Sequence, residues 1–289
     1  MYKALADIVK VAAESGKEFW EVVLLEDTKE RNISFEEGYA QMKQMYKAMK
    51  YADETYDGEL VSASKIVGTD GAKLEAARAK GDSICGDFIM KVLEKAVKMG
   101  ESNACMKRIV AAPTAGSCGV LPAVLIAMEE DKHYDEDSIV KALIVAAGIG
   151  GVIASRAFIA GAAGGCQAEI GAASSMAAGA AVYLKGGSSE QIVQAAAMAL
   201  KNLLGLACDP VGGLVEVPCV KRNTIGAVGA LTAADMALAG VCSKIDPDEV
   251  IDAMRNIGNA MPACLKETGI GGLAVTPCAQ RLLNPEMEE

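Results

Sequence analysis

Small residues at helical spacing are the feature that most constrains the fold of this chain. The stretch from 105 to 240 is dense in alanine and glycine, and apolar residues recur with the 3.6-residue period of an α-helix. Runs of alternating β-branched residues are nearly absent, which argues against a sheet. Because small side chains let backbones approach closely, we expect a mainly α-helical, multi-helix domain with glycine-rich turns between the helices.

Helix-start signals locate several of these helices. A capping box pairs a serine with Glu or Gln three residues later, and proline suits the first helical position. An apolar stripe through Ile84, Phe88, Val92 and Ala96 predicts a further helix. The helix that starts near Ser188 is expected to end at the turn around Cys208. Three pairs mark predicted starts: Ser34 with Glu37, Ser188 with Gln191, and Asp246 with Pro247.

Composition changes near residue 66 and suggests how the chain is organised. Residues 1–66 are charged and amphipathic and carry most of the aromatics, so we interpret them as an N-terminal helical wrap or interface segment. Residues 67–289 are expected to form the catalytic domain, and the two parts together one structural unit.

Charge and hydropathy exclude several classes of protein. With 28 Lys+Arg against 38 Asp+Glu the net charge is −10, whereas a nucleic-acid binder needs a basic stripe. The longest uncharged run, 109–128, contains Pro113 and Pro122, and the first 13 residues mix charges into the apolar ones. Neither segment has the pattern of a membrane span or a signal peptide. We therefore expect a cytoplasmic protein without nucleic-acid or membrane partners.

The high cysteine content and the single histidine favour chemistry at sulfur over chemistry at imidazole. The chain has 9 Cys and 1 His, and three cysteines lie in turns that contain glycine or proline: Cys166, Cys208 and Cys219. Their spacings of 42 and 11 residues match neither a zinc ribbon nor a ferredoxin pattern, and free cysteines are often inert core residues. The turns instead favour a cluster held by three thiolates, with a fourth iron open to substrate. Cys219 also precedes a helix expected from about Val220, whose dipole favours a thiolate.

A second glycine-containing turn lies just before the helix expected from Val120. Backbone N–H groups at such a position form a nest suited to a carboxylate. The alternative is a turn that only lets two helices pack. Cys118 lies inside this turn and is a rival thiol ligand. The candidate substrate-binding residues are Thr114, Gly116, Ser117 and Gly119.

Several motifs together resemble the α chain of bacterial iron–sulfur L-serine dehydratases. They are Ala112-Pro-Thr-Ala-Gly-Ser-Cys-Gly-Val-Leu-Pro122, Cys166-Gln-Ala-Glu-Ile-Gly171, Ser-Met-Ala-Ala-Gly at 175–179, and 208–223, within a likeness from about Ser62 to Thr276. The resemblance implies a lyase with a 4Fe-4S cluster that converts L-serine to pyruvate and ammonia without pyridoxal phosphate. Cys166, Cys208 and Cys219 match the family's three cluster cysteines, whereas Cys118 matches none.

The resemblance also implies a partner. Further active-site residues of the family, including histidines, come from a second module that is either fused or a separate β chain. We expect this chain to act with a β chain in a heteromer such as a dimer of heterodimers. The general base is unassigned: Ser175 and Lys221 are candidates, as are Glu169 and Lys107, and His133 is expected on the surface.

Two other functions stay open from the sequence. A cluster-dependent L-cysteine desulfidase would use the same Lewis acid on a thiol leaving group. A non-catalytic iron–sulfur carrier, or a helical scaffold with buried cysteines, would need no substrate.

Overall fold

The computed structural model describes residues 2–81 and 83–284 of the chain. Within these residues the fold is mainly α-helical, as predicted, and two isolated β-bridges are the only β-structure. The α-helices are α1 (Leu5–Ser15), α2 (Phe19–Arg31), α3 (Phe35–Glu54), α4 (Asp70–Ala79), α5 (Gly86–Ala104), α6 (Val120–Lys132), α7 (Glu136–Arg156), α8 (Gly161–Gly164), α9 (Ala172–Leu184), α10 (Ser189–Lys201), α11 (Cys219–Leu238), α12 (Pro247–Ala260) and α13 (Pro277–Leu283). A π-helical turn, Gln167–Gly171, leads into α9.

Helix α9 lies at the centre and packs against α7, α10, α11 and α6. Small residues make this close packing possible. A Cβ at Gly150 of α7 would lie 2.9 Å from the Met176 sulfur, and one at Gly226 of α11 would lie 2.8 Å from a Val120 methyl carbon. The alanine and glycine content therefore sets how near the helices can come.

Helices α1–α3 share the core with the rest of the chain. Phe19, Trp20 and Tyr46 are buried, and α2 and α3 pack on α7. At the start of α1, the Leu5 N–H donates to Asp248 of α12 over 2.8 Å. These contacts join the N-terminal helices to the core, while the division near residue 66, the single structural unit and the role of residues 1–66 as an interface stay predictions.

The predicted helix starts are confirmed. Ser34, Ser188 and Asp246 each precede a helix and accept a backbone N–H with the side chain. The predicted end of α10 is wrong, because the helix stops at Lys201 rather than at Cys208. Gly205 has a φ of +83° and donates its N–H to the Gln167 side chain, so this segment bonds to the Cys166 region instead of continuing the helix.

Helix α5 differs from its predicted apolar stripe in two ways. Gly86 has a φ of +76°, and Ile84 lies before the helix and is fully exposed. Charged side chains are buried on the same helix: Lys95 lies 2.6 Å from Asp53 and Lys98 lies 2.7 Å from Glu94. Because a buried charge is costly without a partner, these ion pairs make the burial possible.

Helix α7 is long and apolar enough to cross a membrane by length and composition, yet 61% of its most apolar window is buried inside the protein. It packs against α9, α2 and α3. A core helix of a soluble protein passes the same test, so α7 is only a weak indication of a membrane span.

Candidate functional site

The fold brings the three predicted cysteines together. Cys166 precedes the π-helical turn, Cys208 lies in the segment after α10, and Cys219 is the first residue of α11. Their exposed fractions are 2%, 2% and 6%. Cys166 lies close enough to Cys208 and Cys219 to raise the pKa of both thiols. Residues far apart in sequence thus form one buried group of three thiols.

The environment sets the protonation of these thiols. The hydrogen bond with Cys208, together with the Arg222 charge, holds the pKa of Cys166 below its usual value. The same hydrogen bond, followed by burial, raises the pKa of Cys208. Burial raises the pKa of Cys219 to about 12, so it outweighs the helix N-terminus that was expected to favour the thiolate. A ligand that takes thiolates from this group must displace protons.

The Cys208 segment is held by backbone contacts with a loop near the C-terminus. The Cys208 N–H donates to the Leu265 carbonyl over 2.8 Å, and the Glu267 N–H donates to the Cys208 carbonyl over 2.7 Å. The next residue, Asp209, accepts the Leu273 N–H over 2.8 Å. Residues 265–273 thus have a structural role, because they hold the loop that carries one of the three thiols.

The Thr114–Gly119 turn lies beside the thiols and is tied to Cys219 by one side chain. Buried Asn223 accepts the Gly119 N–H over 2.9 Å and donates to the carbonyls of Gly116 and Cys219, each over 3.0 Å. The Thr114 and Ser117 hydroxyls lie 3.2 Å apart. Of the four predicted substrate-binding residues, Thr114, Ser117 and Gly119 already use their N–H groups within the protein.

Glu169 lies between this turn and the thiols and is 7% exposed. Its Oε1 accepts the Thr114 hydroxyl over 2.7 Å, and its Oε2 lies 3.8 Å from the Cys208 sulfur, which donates to it. Burial, and then the charge of Glu267, raises the pKa of Glu169. Sequence reasoning did not single out this carboxylate among several candidates. The available signal was its position three residues after Cys166 in a short glycine-bounded turn.

Two of the other sequence candidates for catalysis, Ser175 and Lys221, contact groups other than the thiols. Ser175 is buried in α9, and its hydroxyl donates to the Ala196 carbonyl of α10 over 2.9 Å. Lys221 is exposed and pairs with Asp70 over 3.0 Å. The structure therefore brings together the predicted cysteines and the Thr114 turn, but neither of these two side chains.

Cys118 is a buried packing residue, and His133 is a surface residue. The Cys118 thiol is buried and donates to the Met99 carbonyl over 3.7 Å, and burial raises its pKa to about 12. His133 is exposed at the end of α6, as predicted. Cys118 thus belongs to the packing between α5 and the turn that precedes α6.

Comparison with known proteins identifies relatives over nearly the whole chain. The family model described as Serine dehydratase alpha chain matches residues 14–274. The probable L-serine dehydratase alpha chain of Bacillus subtilis is 44% identical over 282 residues, which cover 98% of this chain and 94% of that protein. The L-serine dehydratase alpha chain of Peptoniphilus asaccharolyticus is 40% identical over 290 residues, covering 100% and 99%.

A longer relative matches only in part. The L-serine dehydratase of Streptomyces coelicolor is 38% identical over 281 residues, which cover 93% of this chain but 60% of that protein. The chain therefore belongs to the serine dehydratase alpha chain family.

Proposed function

We propose that this chain is the α subunit of a cytoplasmic, iron–sulfur-dependent L-serine dehydratase, a lyase that converts L-serine to pyruvate and ammonia. The observation that carries the proposal is the convergence of the Cys166, Cys208 and Cys219 thiols beside Glu169 and the Thr114 turn. The names of the relatives supply the reaction. Pyridoxal phosphate has no part in this proposal.

The donor set fits a 4Fe-4S cluster. Among the described residues, no group of three His, Cys, Asp or Glu has the geometry to hold a metal ion. A cluster is larger than one ion, so its thiolates need not converge on a single point. A Cβ at Gly161 would lie 2.8 Å from the Cys208 sulfur and 2.7 Å from Glu169 Oε2, so glycine leaves the space beside the thiol open. Cys166, Cys208 and Cys219 would hold the cluster, leaving one iron without a cysteine.

The reaction removes the proton from Cα and hydroxide from Cβ of serine, which yields 2-aminoacrylate and water. That enamine tautomerises to an imine, which takes up one water to give pyruvate and ammonia. When bound, the cluster supplies a Lewis-acidic iron that assists departure of the hydroxyl. We assign the substrate carboxylate to the turn formed by Thr114, Gly116 and Ser117. Glu169 lines the same space and is oriented there by the Thr114 hydroxyl.

A β chain completes the site in this proposal. The alpha chain names of the relatives imply a multi-subunit enzyme, and the Streptomyces protein contains a large segment outside its match with this chain. His133 is exposed, and Ser175 and Lys221 contact groups other than the thiols. Glu169 is already engaged by the Thr114 hydroxyl and the Cys208 thiol, so we assign the acceptor of the Cα proton to the β chain. The functional unit would be a heteromer such as a dimer of heterodimers.

The direct test is anaerobic reconstitution with iron and sulfide, followed by a pyruvate assay with L-serine. We expect iron uptake by the isolated chain, little pyruvate from it alone, and full turnover after the β chain is added. Ordinary enzyme rates without the β chain would contradict the assignment of the proton acceptor.

The same preparation distinguishes the alternative functions. A desulfidase would form pyruvate and sulfide from L-cysteine in preference to serine. A carrier would pass its cluster to an apo acceptor, and its visible spectrum would not respond to serine. A scaffold with buried cysteines would take up no iron.

Air exposure should abolish pyruvate formation before the fold is lost, because an iron without a cysteine ligand is the one most easily removed. The measurement follows activity, iron content and far-UV circular dichroism in parallel during exposure, with an anaerobic sample as control. Activity that persists for days in air would count against a catalytic iron.

A further inference from the structure

We propose that Arg222 is a positioning residue that holds the segments carrying Cys166, Cys208 and Cys219 in one arrangement. The inference rests on the proposed function, because it takes these cysteines as the cluster ligands. Arg222 belongs to the first turn of α11, three residues after Cys219.

Arg222 holds the Cys208 segment on both sides of the cysteine. One guanidinium nitrogen, Nη1, donates to the Ala207 carbonyl over 2.7 Å, and Nη2 donates to Asp209 Oδ1 over 2.8 Å. Because these partners are the residues immediately before and after Cys208, the two hydrogen bonds fix the backbone direction at the thiol.

The guanidinium also lies near the Cys166 thiol, and its charge lowers the pKa of that thiol. One side chain thus connects all three cysteine segments, since its own helix begins with Cys219. Lysine keeps the positive charge but has a single nitrogen, so it cannot hold both sides of Cys208 with the same planar fork.

Burial makes the ion pair between Arg222 and Asp209 costly to break. The Arg222 and Asp209 side chains are 17% and 7% exposed, and Asp209 Oδ2 is already used by the Leu273 N–H. Removing the guanidinium would leave a buried carboxylate and a carbonyl without their charged donor. The Cys208 segment would keep its backbone contacts with residues 265–273 and the contact of its thiol with Glu169, but it would lose both bonds to α11.

Arg156 provides a matched control. Its Nε and Nη2 donate to the two oxygens of Asp252 over 2.9 and 2.7 Å, and its Nη1 lies 3.4 Å from the Lys3 carbonyl. Arg156 therefore binds one carboxylate and one backbone carbonyl, as Arg222 does. It joins the end of α7 to α12 and makes none of the thiol contacts of Arg222.

The experiment compares Arg222→Met, Arg222→Lys and Arg156→Met in the full chain. The first measurement is the rate at which iodoacetamide labels Cys208 and Cys166 without metal, resolved by peptide mass spectrometry. We expect Arg222→Met to accelerate Cys208 labelling at least about tenfold, since charge-assisted hydrogen bonds of about 1.5 kcal/mol or more are lost. Arg222→Lys should lie between it and the parent, while Arg156→Met should leave the rate unchanged.

The second measurement is the reduction potential of the reconstituted protein. A positive charge beside the cluster ligands favours the reduced form, so Arg222→Met should shift the potential to more negative values and Arg222→Lys, which keeps the charge, should shift it less. Arg156→Met should leave it at the parent value even if its urea unfolding midpoint falls.

The outcomes distinguish a failure of the proposed function from a failure of the positioning role of Arg222. If the parent takes up no iron, the proposed function fails, whereas the labelling rates still decide the role of Arg222. Unchanged Cys208 labelling in Arg222→Met would overturn that role. Labelling of buried Cys118 reports global unfolding, and if it accelerates in Arg222→Met, the more conservative Arg222→Lys decides: parent-like Cys208 labelling in that variant would overturn the proposal.

Discussion

Replacing Cys166, Cys208 or Cys219 with alanine is expected to remove bound iron and to lower serine turnover by at least about a thousandfold. Each variant loses one of three thiol ligands, and a Lewis-acidic iron stabilises the transition state by several kcal/mol, of which about 4 kcal/mol corresponds to a thousandfold in rate. The measurement is iron per chain after anaerobic reconstitution, followed by pyruvate formation with the β chain present.

Cys118→Ala is the matched control for these variants. Its thiol is also buried but contacts the Met99 carbonyl rather than the other thiols. We expect it to retain iron and activity, with a modest loss of stability from the missing sulfur. Full iron retention in any one of the three site variants would remove that cysteine from the ligand set.

Asn223→Ala is expected to lower the free energy of unfolding by about 3 kcal/mol, because it removes three buried hydrogen bonds of about 1 kcal/mol each. It also releases the Thr114–Gly119 turn from Cys219, so kcat/KM for serine should fall at least about tenfold through loss of substrate positioning. Urea unfolding and steady-state kinetics of the reconstituted enzyme measure the two effects.

Two further variants sharpen this test. Asn223→Asp keeps an acceptor for the Gly119 N–H but faces the carbonyls of Gly116 and Cys219 with an oxygen, so it should not restore the parent. Thr224→Ala changes the next residue, whose hydroxyl bonds only locally to the Lys221 carbonyl. A parent-like kcat/KM in Asn223→Ala would show that the turn does not position the substrate.

Local signals predicted the helical framework well. Ser34, Ser188 and Asp246 cap helices because their side chains accept N–H groups within the next few residues, and such contacts depend on sequence spacing alone. The likeness of the motifs predicted the family, and the family comparisons confirm it.

Contacts between distant segments were not predictable in the same way. The end of α10 depends on Gln167, more than 30 residues earlier, which takes the Gly205 N–H. Likewise the buried charge of Lys95 on α5 depends on Asp53 of α3 as its partner, and a stripe of apolar residues carries no information about this ion pair. The spacing of apolar residues shows which face of a helix is apolar, but it does not show which polar groups of different helices will come into contact.

The sequence by itself determined the helical class, the helix starts, the family and the three candidate cysteines. Only the tertiary structure decided that their thiols share one buried site, that Glu169 and the Thr114 turn adjoin it, and that Arg222 and Asn223 connect its segments. The physical reason is the separation along the chain over which each kind of interaction acts. Capping and periodicity act within a few residues, whereas the site is formed by hydrogen bonds and charges that operate only after the helices have packed.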